Sequence, residues 1–328
     1  MKYIKTDYSV PYSNMALEEY LMESREHCDD YVFFYIHRPS VIIGRHQNAY
    51  AEINSSFIKE HGIIVSRRIS GGGAVYHDEG NLNFSFITNA PSGKIVDFRP
   101  YIEPVVRALK KAGVNAALTG RNDLCIGERK FSGNAQYLAN GKVLHHGTLM
   151  FNVNVEDMLN ALNVSEMKIS SKAVESVRSR VVNLKEYLPE DMDIFSFRQL
   201  LLNTIFEGEK FGEYLLTDAD KNAVERLVRE KFSTQSYNFG VSRPFEAVKK
   251  QKFKAGIVEV SFNVRSNAFA EFCINGDFFC NKNIDGLNNL IAGTKFNEKA
   301  LKEKLKAIEF DSYIANFSSK EMLELIFG

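Results

Sequence analysis

The chain has no excess charge of either sign. Lys and Arg number 41 and Asp and Glu number 41, with a pI of about 7.1. A dedicated nucleic-acid binder usually carries a basic surplus, so that class is disfavoured, although a local basic site is not. The four cysteines, Cys28, Cys125, Cys273 and Cys280, form no CxxC pair and have no metal-ligand spacing. Neither a disulfide framework nor a zinc site follows, and a reducing compartment is expected. The opening MKYIKTDYSV lacks the apolar stretch of a secretory signal. No run approaches the ~18 apolar residues of a membrane-spanning helix; Tyr31 to Ile36, among the longest, has the length of a buried strand. These absences point to a cytoplasmic protein with no membrane and no nucleic-acid partner. Two nucleotide signatures are also missing: Tyr76 stands where a GxGxxG pattern starting at Gly71 would need its last glycine, and no GxxxxGK[ST] occurs.

What remains is an ordinary globular composition, 45% hydrophobic and 25% charged, in 328 residues. That length suits one large domain with a smaller one. Ala16, Leu17, Tyr20 and Leu21 share a helical face after Pro11. Residues 31–36 and 40–43 read as strands, 55–61 as a short helix stopped by Gly62, and 63–65 as a strand leading into Arg67 and Arg68. Leu82, Phe84 and Phe86 alternate with Asn83 and Ser85, the period of a half-buried strand. Residues 100–112 read as a helix ended by Gly113. Asn140-Gly141 between two strand-like runs marks a hairpin over 130–151. Further helices are expected near 155–162, 194–208 and 218–232. After Pro244 the composition shifts. Lys249 to Lys252 reads as a linker or solvated helix end, 257–264 and 268–274 as strands, and 297–309 and 319–326 as helices. The division expected is 1–246 and 247–328.

Four clusters carry chemistry. The first is RRISGGGAVYHDEGN, residues 67–81. Glycine runs mark surface turns when they stand alone. After a strand, and next to Arg67-Arg68 and His77-Asp78, three glycines also let a backbone approach an anion closely. The second joins Gly120-Arg121-Asn122-Asp123 to Arg129-Lys130-Phe131-Ser132-Gly133-Asn134. On a strand, Lys130, Ser132 and Asn134 face one way and Phe131 faces the core. The third is His145-His146-Gly147-Thr148 on the returning hairpin strand, roughly opposite 133–137. Adjacent strand residues face opposite sides, so the two histidines cannot easily share one metal ion. The fourth, Ser176 to Val181, reads on spacing alone as a solvated basic loop.

Together with YNFG at 237–240, these segments resemble lipoate–protein ligases of the long, two-domain type, in the family's order and spacing. The likeness runs over nearly the whole chain and is strongest over 31–184. It implies an α+β fold: a large mixed, mainly antiparallel sheet in a catalytic domain of the biotin/lipoate ligase type, with a small C-terminal α/β accessory domain. It implies ATP and Mg²⁺ as cofactors and lipoate as substrate. Lipoate is joined to AMP and then passed to a lysine of apo lipoyl domains in the E2 subunits of 2-oxoacid dehydrogenases or of glycine cleavage H protein. A monomer is expected.

By the same resemblance Lys130 is catalytic and touches both lipoate and ATP. Arg68, Gly73, Ala74, Val75, Tyr76, Asn122, Asp123, Ser176, Arg178 and Arg180 fall to ATP, with Asp123 as a Mg²⁺ contact. Ser70, Gly71, Gly72, His77, Gly133, His146 and Gly147 fall to lipoate. Two other classes stay open. An octanoyl or lipoyl transferase of this superfamily needs a cysteine nucleophile, and Cys125 is the cysteine nearest these motifs, within an apolar run that suits the core. A non-catalytic lipoate-binding homologue would lack Lys130 or the glycine run. A biotin ligase would have a GRGRxxR-type loop where this chain has RRISGGG.

Overall fold

The computed structural model describes residues 1–24, 26–90, 97–120, 122–163, 178–207, 211–240 and 245–328. The larger part is built on strands β1 (Lys2–Ile4), β2 (Tyr31–Ile36), β3 (Ser40–Ile43), β4 (Ile64–Arg67), β5 (Val75–His77), β6 (Asn81–Asn89), β7 (Ala117–Thr119), β8 (Asp123–Ile126), β9 (Arg129–Ala139), β10 (Lys142–Met150) and β11 (Gly212–Tyr214). Among the described residues the main sheet has eight strands in the order β11-β1-β2-β6-β10-β9-β8-β7. β1 runs parallel to β2 and β11, and the other pairings are antiparallel. A second sheet, β4-β3-β5, holds the strands that flank the glycine run. The fold is therefore α+β with a mixed, mostly antiparallel sheet.

Local chemistry explains several elements. β9 and β10 meet at Asn140 and Gly141, whose φ of 53° and 72° give the type I′ turn expected of Asn-Gly. Helix Arg99–Lys111 has Pro100 in its first turn, where a missing N–H is harmless, and Gly113 takes φ +82° just beyond its end. Helix α1 (Pro11–Glu23) starts on Pro11 and lies over β6 and β10.

β6 corrects an expectation. Its alternation suggests one wet face, yet Asn81 to Ile87 is buried on both faces. Phe84 and Phe86 enter the main core. The polar residues turn toward α1, where Ser85 donates to Glu18 Oε1 (2.5 Å), Asn81 Nδ2 donates to Asn83 Oδ1 (2.9 Å) and Asn83 Nδ2 reaches Tyr35 O (3.3 Å). The period-2 pattern reports a buried polar layer in which each of these side chains has at least one partner, although Asn81 Oδ1 has none among the described residues.

Residues 247–328 gather around their own hydrophobic cluster, with Val258, Phe269, Leu287, Leu301 and Met322 at its centre. It contains β12 (Ala247–Phe253), β13 (Gly256–Arg265) and β14 (Ala268–Gly276), all antiparallel, and helices Ile284–Ile291, Glu298–Ala307 and Ser319–Phe327. The lysine run expected as a linker is β12, an edge strand whose residues 248–252 are exposed. Lysines on an edge strand deter pairing with other chains, so a polar composition and a strand are compatible there. The third strand thus precedes the hairpin. The helix at 284–291 is a feature the sequence reading missed, although Asn283 caps it and Ile284, Leu287 and Ile291 have helical spacing.

One polar knot ties α1 to the elements after β11. Asp220 accepts from Tyr20 (2.7 Å), Tyr214 (2.8 Å) and Thr217 Oγ1 (2.8 Å), and lies 3.1 Å from His27 Nε2. Burial alone would raise its pKa, but the tyrosine and threonine donors outweigh burial and hold it well below the usual range. A depressed carboxylate stabilises the fold above its unfolded pKa of about 4, and that stability is lost as pH falls toward the folded value. Asp220→Asn should therefore lower the melting temperature at pH 7. Thermal melts from pH 7 to 3 should show the gap to the parent narrowing below about pH 4; a constant gap would mean that packing, not charge, carries the effect.

Candidate active site

The sheet order brings the expected residues together. β9 and β10 are neighbours, with Ala135 opposite His146 and Asn134 opposite Gly147, and β8 flanks β9. The turn after β4 lays the glycines over this floor. Between them is a cavity of about 120 Å³, lined by Arg68, Gly72, Gly73, Ala74, Val75, His77, Asn122, Lys130, Gly133, His146 and Gly147. Asn134, Ala135 and Thr148, beside the motif residues on β9 and β10, complete the floor, while Met15, Tyr35, Ile42 and Asn83 were given no role from the sequence. They come from elements remote in the chain, which a single sequence does not place side by side. A wider cleft of about 1120 Å³, bordered by Arg45, His46, Lys231 and Asp285, does not include Lys130, which lines the smaller cavity.

Lys130 is partly exposed at one end of this cavity, with Nζ 2.8 Å from Asp123 Oδ1. Its backbone is held by the chain that follows Arg178: Lys130 N donates to Arg180 O (2.7 Å) and Val182 N donates to Lys130 O (3.0 Å). Arg178 and Arg180 are exposed beside it. Ser176, expected with them, lies outside the described residues, as does Arg121. Asn122 and Asn134 bind each other's backbone carbonyls, through Asn122 Nδ2 to Asn134 O (2.6 Å) and Asn134 Nδ2 to Asn122 O (3.0 Å). Gly147 leaves the floor bare, since a Cβ there would lie 2.3 Å from Asn134 Oδ1 and 2.6 Å from Phe84 Cζ.

The two arginines depart from the sequence reading, which gave them to an incoming anion. Both are buried and engaged with protein acceptors. Arg67 points away from the cavity. Its guanidinium donates to Gly44 O, Arg45 O, Gln47 O, Tyr237 O and Asn238 O at 2.7–3.1 Å, tying the 44–47 loop to the YNFG segment. Arg68 donates to Ser70 Oγ (3.1 Å), Ile42 O (3.1 Å), Gly71 O (2.8 Å) and Gly73 O (2.8 Å), so it moulds the glycine turn from beneath. Burial pulls its pKa down to about 10, leaving it charged near neutral pH. A buried guanidinium must find acceptors, and backbone carbonyls supply them here.

The glycines divide by cause. A Cβ on Gly71 would stand 2.2 Å from Phe278 O in the C-terminal part, and one on Gly44 would stand 1.9 Å from Gly72 O. Gly72 has φ +94°. Gly73 is exposed with nothing near its Cβ position, so it is open to a ligand. Gly276 N donates to His46 O (2.9 Å), and Phe278 stacks on the His46 ring (centroids 5.4 Å). The C-terminal part thus borders the glycine turn directly.

Away from Lys130 the cavity is walled by a buried network. Glu18 accepts from His146 Nδ1 (3.0 Å), Tyr35 (3.1 Å) and Ser85, while His146 Nε2 lies 2.6 Å from Ser70 Oγ. His145 faces the other way, stacked on Tyr101, as adjacent strand residues must. Cys125 is buried, 2.9 Å from Thr119 Oγ1, and does not line the cavity. Among the described residues no cluster of His, Cys, Asp and Glu could hold a metal on its own, and no helix is long and apolar enough to cross a membrane.

Residues 10–206 match the Lipoyl protein ligase A/B catalytic domain family, and 242–326 match the Bacterial lipoate protein ligase C-terminus family. The chain is 39% identical over 327 residues to lipoate–protein ligase 1 of Staphylococcus aureus, covering 99% of this chain and 100% of that protein. The chain belongs to the lipoate–protein ligase family. This ligase is also 38% identical to lipoate-protein ligase LplJ of Bacillus subtilis, over 97% of each chain. A bipartite lipoate protein ligase of Thermoplasma acidophilum, described with its E2 lipoyl domain, superposes with a TM-score of 0.67 at 30% identity, over 75% of this ligase and 98% of that chain. A lipoate-protein ligase A bound with ATP gives 0.66 at 28%, over 74% and 99%.

Proposed function

We propose that this ligase joins lipoate to AMP in the cavity beside Lys130 and then transfers the lipoyl group to a lysine of apo lipoyl domains, those of E2 subunits or glycine cleavage H protein. The observation that carries this reading is the partly exposed ammonium of Lys130, standing where the glycine turn, the hairpin floor and the 178–182 segment converge. The relatives that bind ATP or are described with an E2 lipoyl domain support it.

In the first step a lipoate oxygen attacks the α-phosphorus of ATP, the bond to the β-phosphate breaks and pyrophosphate leaves. Two anions must approach, and a positioned cation relieves their repulsion. Lys130 supplies it by leaving Asp123 for the carboxylate and phosphate. Gly73, exposed with nothing near its Cβ position, gives the phosphates room beside Ala74 and Val75, while Tyr76 packs in the core and Arg68 acts on the phosphates through the turn it shapes. Asn122 fixes the start of β8, and Arg178 and Arg180 add charge at the open end. Asp123 is the carboxylate at that end that would hold a Mg²⁺ ion together with the substrate phosphates, and the ion would offset phosphate charge there. In the second step the neutral acceptor amine attacks the acyl carbon, the bond to AMP breaks and the amine loses a proton. Residues 247–328 act as an accessory unit that walls the glycine turn with Phe278 and Phe279. Lipoate-dependent exchange of pyrophosphate into ATP, followed by a mass shift on an apo lipoyl domain, tests both steps.

A thioester transferase would need a thiol at the acyl carbon. Cys125 is outside the cavity, so Cys125→Ser should retain adenylate formation and acceptor modification within about threefold, as expected of a small isosteric change. A variant that makes lipoyl-AMP but no longer modifies the acceptor would restore the thioester route.

A further inference from the structure

Among the described residues His77 stands out as a fully engaged ring on one side and an unused donor on the other. Asn14 Nδ2 donates to Tyr8 O at 2.8 Å, which fixes the amide orientation, because the reverse would set oxygen against oxygen. The same Nδ2 lies 3.1 Å from His37 Nε2, so that ring nitrogen accepts. In a neutral imidazole the proton then sits on His37 Nδ1, which faces His77 Nδ1 at 3.0 Å and donates to it. His77 Nδ1 therefore accepts, and its proton is on Nε2. That Nε2 is buried and has no hydrogen-bond partner among the described residues. Burial lowers the pKa of His37 to about 3 and that of His77 well below its usual value, so both rings are neutral near pH 7, as the chain of bonds requires.

The place of His77 in the cavity decides what this donor meets. Tyr35 on β2 and Lys130 on β9 lie at opposite ends, with β6 and β10 between them. Three strand spacings are about 14 Å. An extended eight-carbon acid spans on the order of 10 Å. With its carboxylate at Lys130, the far end of the chain reaches the wall made by Tyr35, His77 and His146. We propose that the Nε2–H of His77 reads the dithiolane sulfur and makes the site prefer lipoate to a plain fatty acid of equal length. This rests on the ligase reading above.

Sulfur is a weak acceptor, but an alkyl terminus has no lone pair, and filling the pocket with octanoate leaves the buried N–H unmatched. A site with a donor placed for one substrate rejects the analogue lacking its partner more strongly than size alone would. Met15, which also lines the cavity, suits the polarisable ring.

The test compares Kd for lipoate, for lipoate 1-oxide, whose sulfinyl oxygen is a stronger acceptor, and for octanoate on the full chain by calorimetry. The parent should bind lipoate about tenfold more tightly than octanoate and the oxide at least as tightly as lipoate. In His77→Phe the lipoate-to-octanoate ratio should fall toward one, the ratio cancelling any general loss of affinity. ¹⁵N spectra of histidine-labelled parent protein should show the Nε2–H tautomer of His77, with its Nε2 signal shifted by lipoate and not by octanoate. This measurement stands even where the variant does not fold. An Nδ1–H tautomer, an unchanged ratio in His77→Phe or equal affinity of the parent for the two acids would each overturn the proposal. No binding of lipoate, or no lipoate-dependent pyrophosphate exchange, would instead overturn the ligase reading itself.

Discussion

Lys130→Ala is expected to lose at least a hundredfold in lipoyl-AMP formation, with a melting temperature close to the parent's. Each charge-assisted hydrogen bond contributes about 1.5–3 kcal/mol, and loss of contacts to both carboxylate and phosphate removes two, at about 1.4 kcal/mol per tenfold in rate. The side chain is 40% exposed, and its pair with the 37%-exposed Asp123 adds little to stability once solvent screening is allowed for. Removing the ammonium also leaves the Asp123 carboxylate facing the incoming phosphates. Adding Asp123→Asn to Lys130→Ala separates the two demands on this carboxylate: a double variant faster than the single one marks Asp123 as a repulsive charge, and a slower one marks it as the Mg²⁺ contact proposed above. Pyrophosphate exchange within threefold of the parent in a folded single variant would remove Lys130 from the chemistry.

Much of this architecture is legible in the sequence because the relevant signals are local. Asn140-Gly141 sets the β9–β10 hairpin, and the hairpin register alone aligns Lys130 and Gly133 with the strand that carries His146 and Gly147. The roles of Arg67 and Arg68 were not legible, since a pair of arginines beside glycines reads equally as an anion trap or as a buried brace. The decision depends on where Gly44, Ile42 and Asn238 fall, up to 171 residues away. Glu18 is hidden for the same reason. A glutamate in the middle of a helix looks solvated until Tyr35, Ser85 and His146, from three strands, are brought onto it. Lys249 to Lys252 misled in the opposite direction, because an exposed edge strand and a solvated linker share the same composition.

Arg68→Met is expected to be the most destabilising of the changes considered, and its failure to bind substrates should follow from that. The side chain holds four acceptors, and Ile42 O and Gly71 O belong to buried residues. Stripping the guanidinium leaves those carbonyls unmatched at about 1–3 kcal/mol each. It also leaves the buried Glu18 carboxylate without its nearby positive charge. A loss of about 3–5 kcal/mol is the scale for breaking a buried charged network, which lowers the melting temperature by on the order of 10 °C in a protein of this size. Arg68→Lys should not rescue it, since one ammonium cannot span acceptors that lie on both sides of the glycine turn. The same variants separate the two roles open to this residue. An arginine that bound ATP phosphates directly would, on removal, raise KM for ATP with the fold and the affinity for lipoate unchanged. An arginine that braces the turn loses affinity for ATP and lipoate together, because it holds the carbonyls of Gly71 and Gly73, and Gly72 and Gly73 line the cavity proposed for both substrates. Melting curves, lipoate calorimetry and ATP titration on Arg68→Met and Arg68→Lys distinguish these outcomes, and an unchanged melting temperature with a defect confined to ATP would return Arg68 to the phosphates.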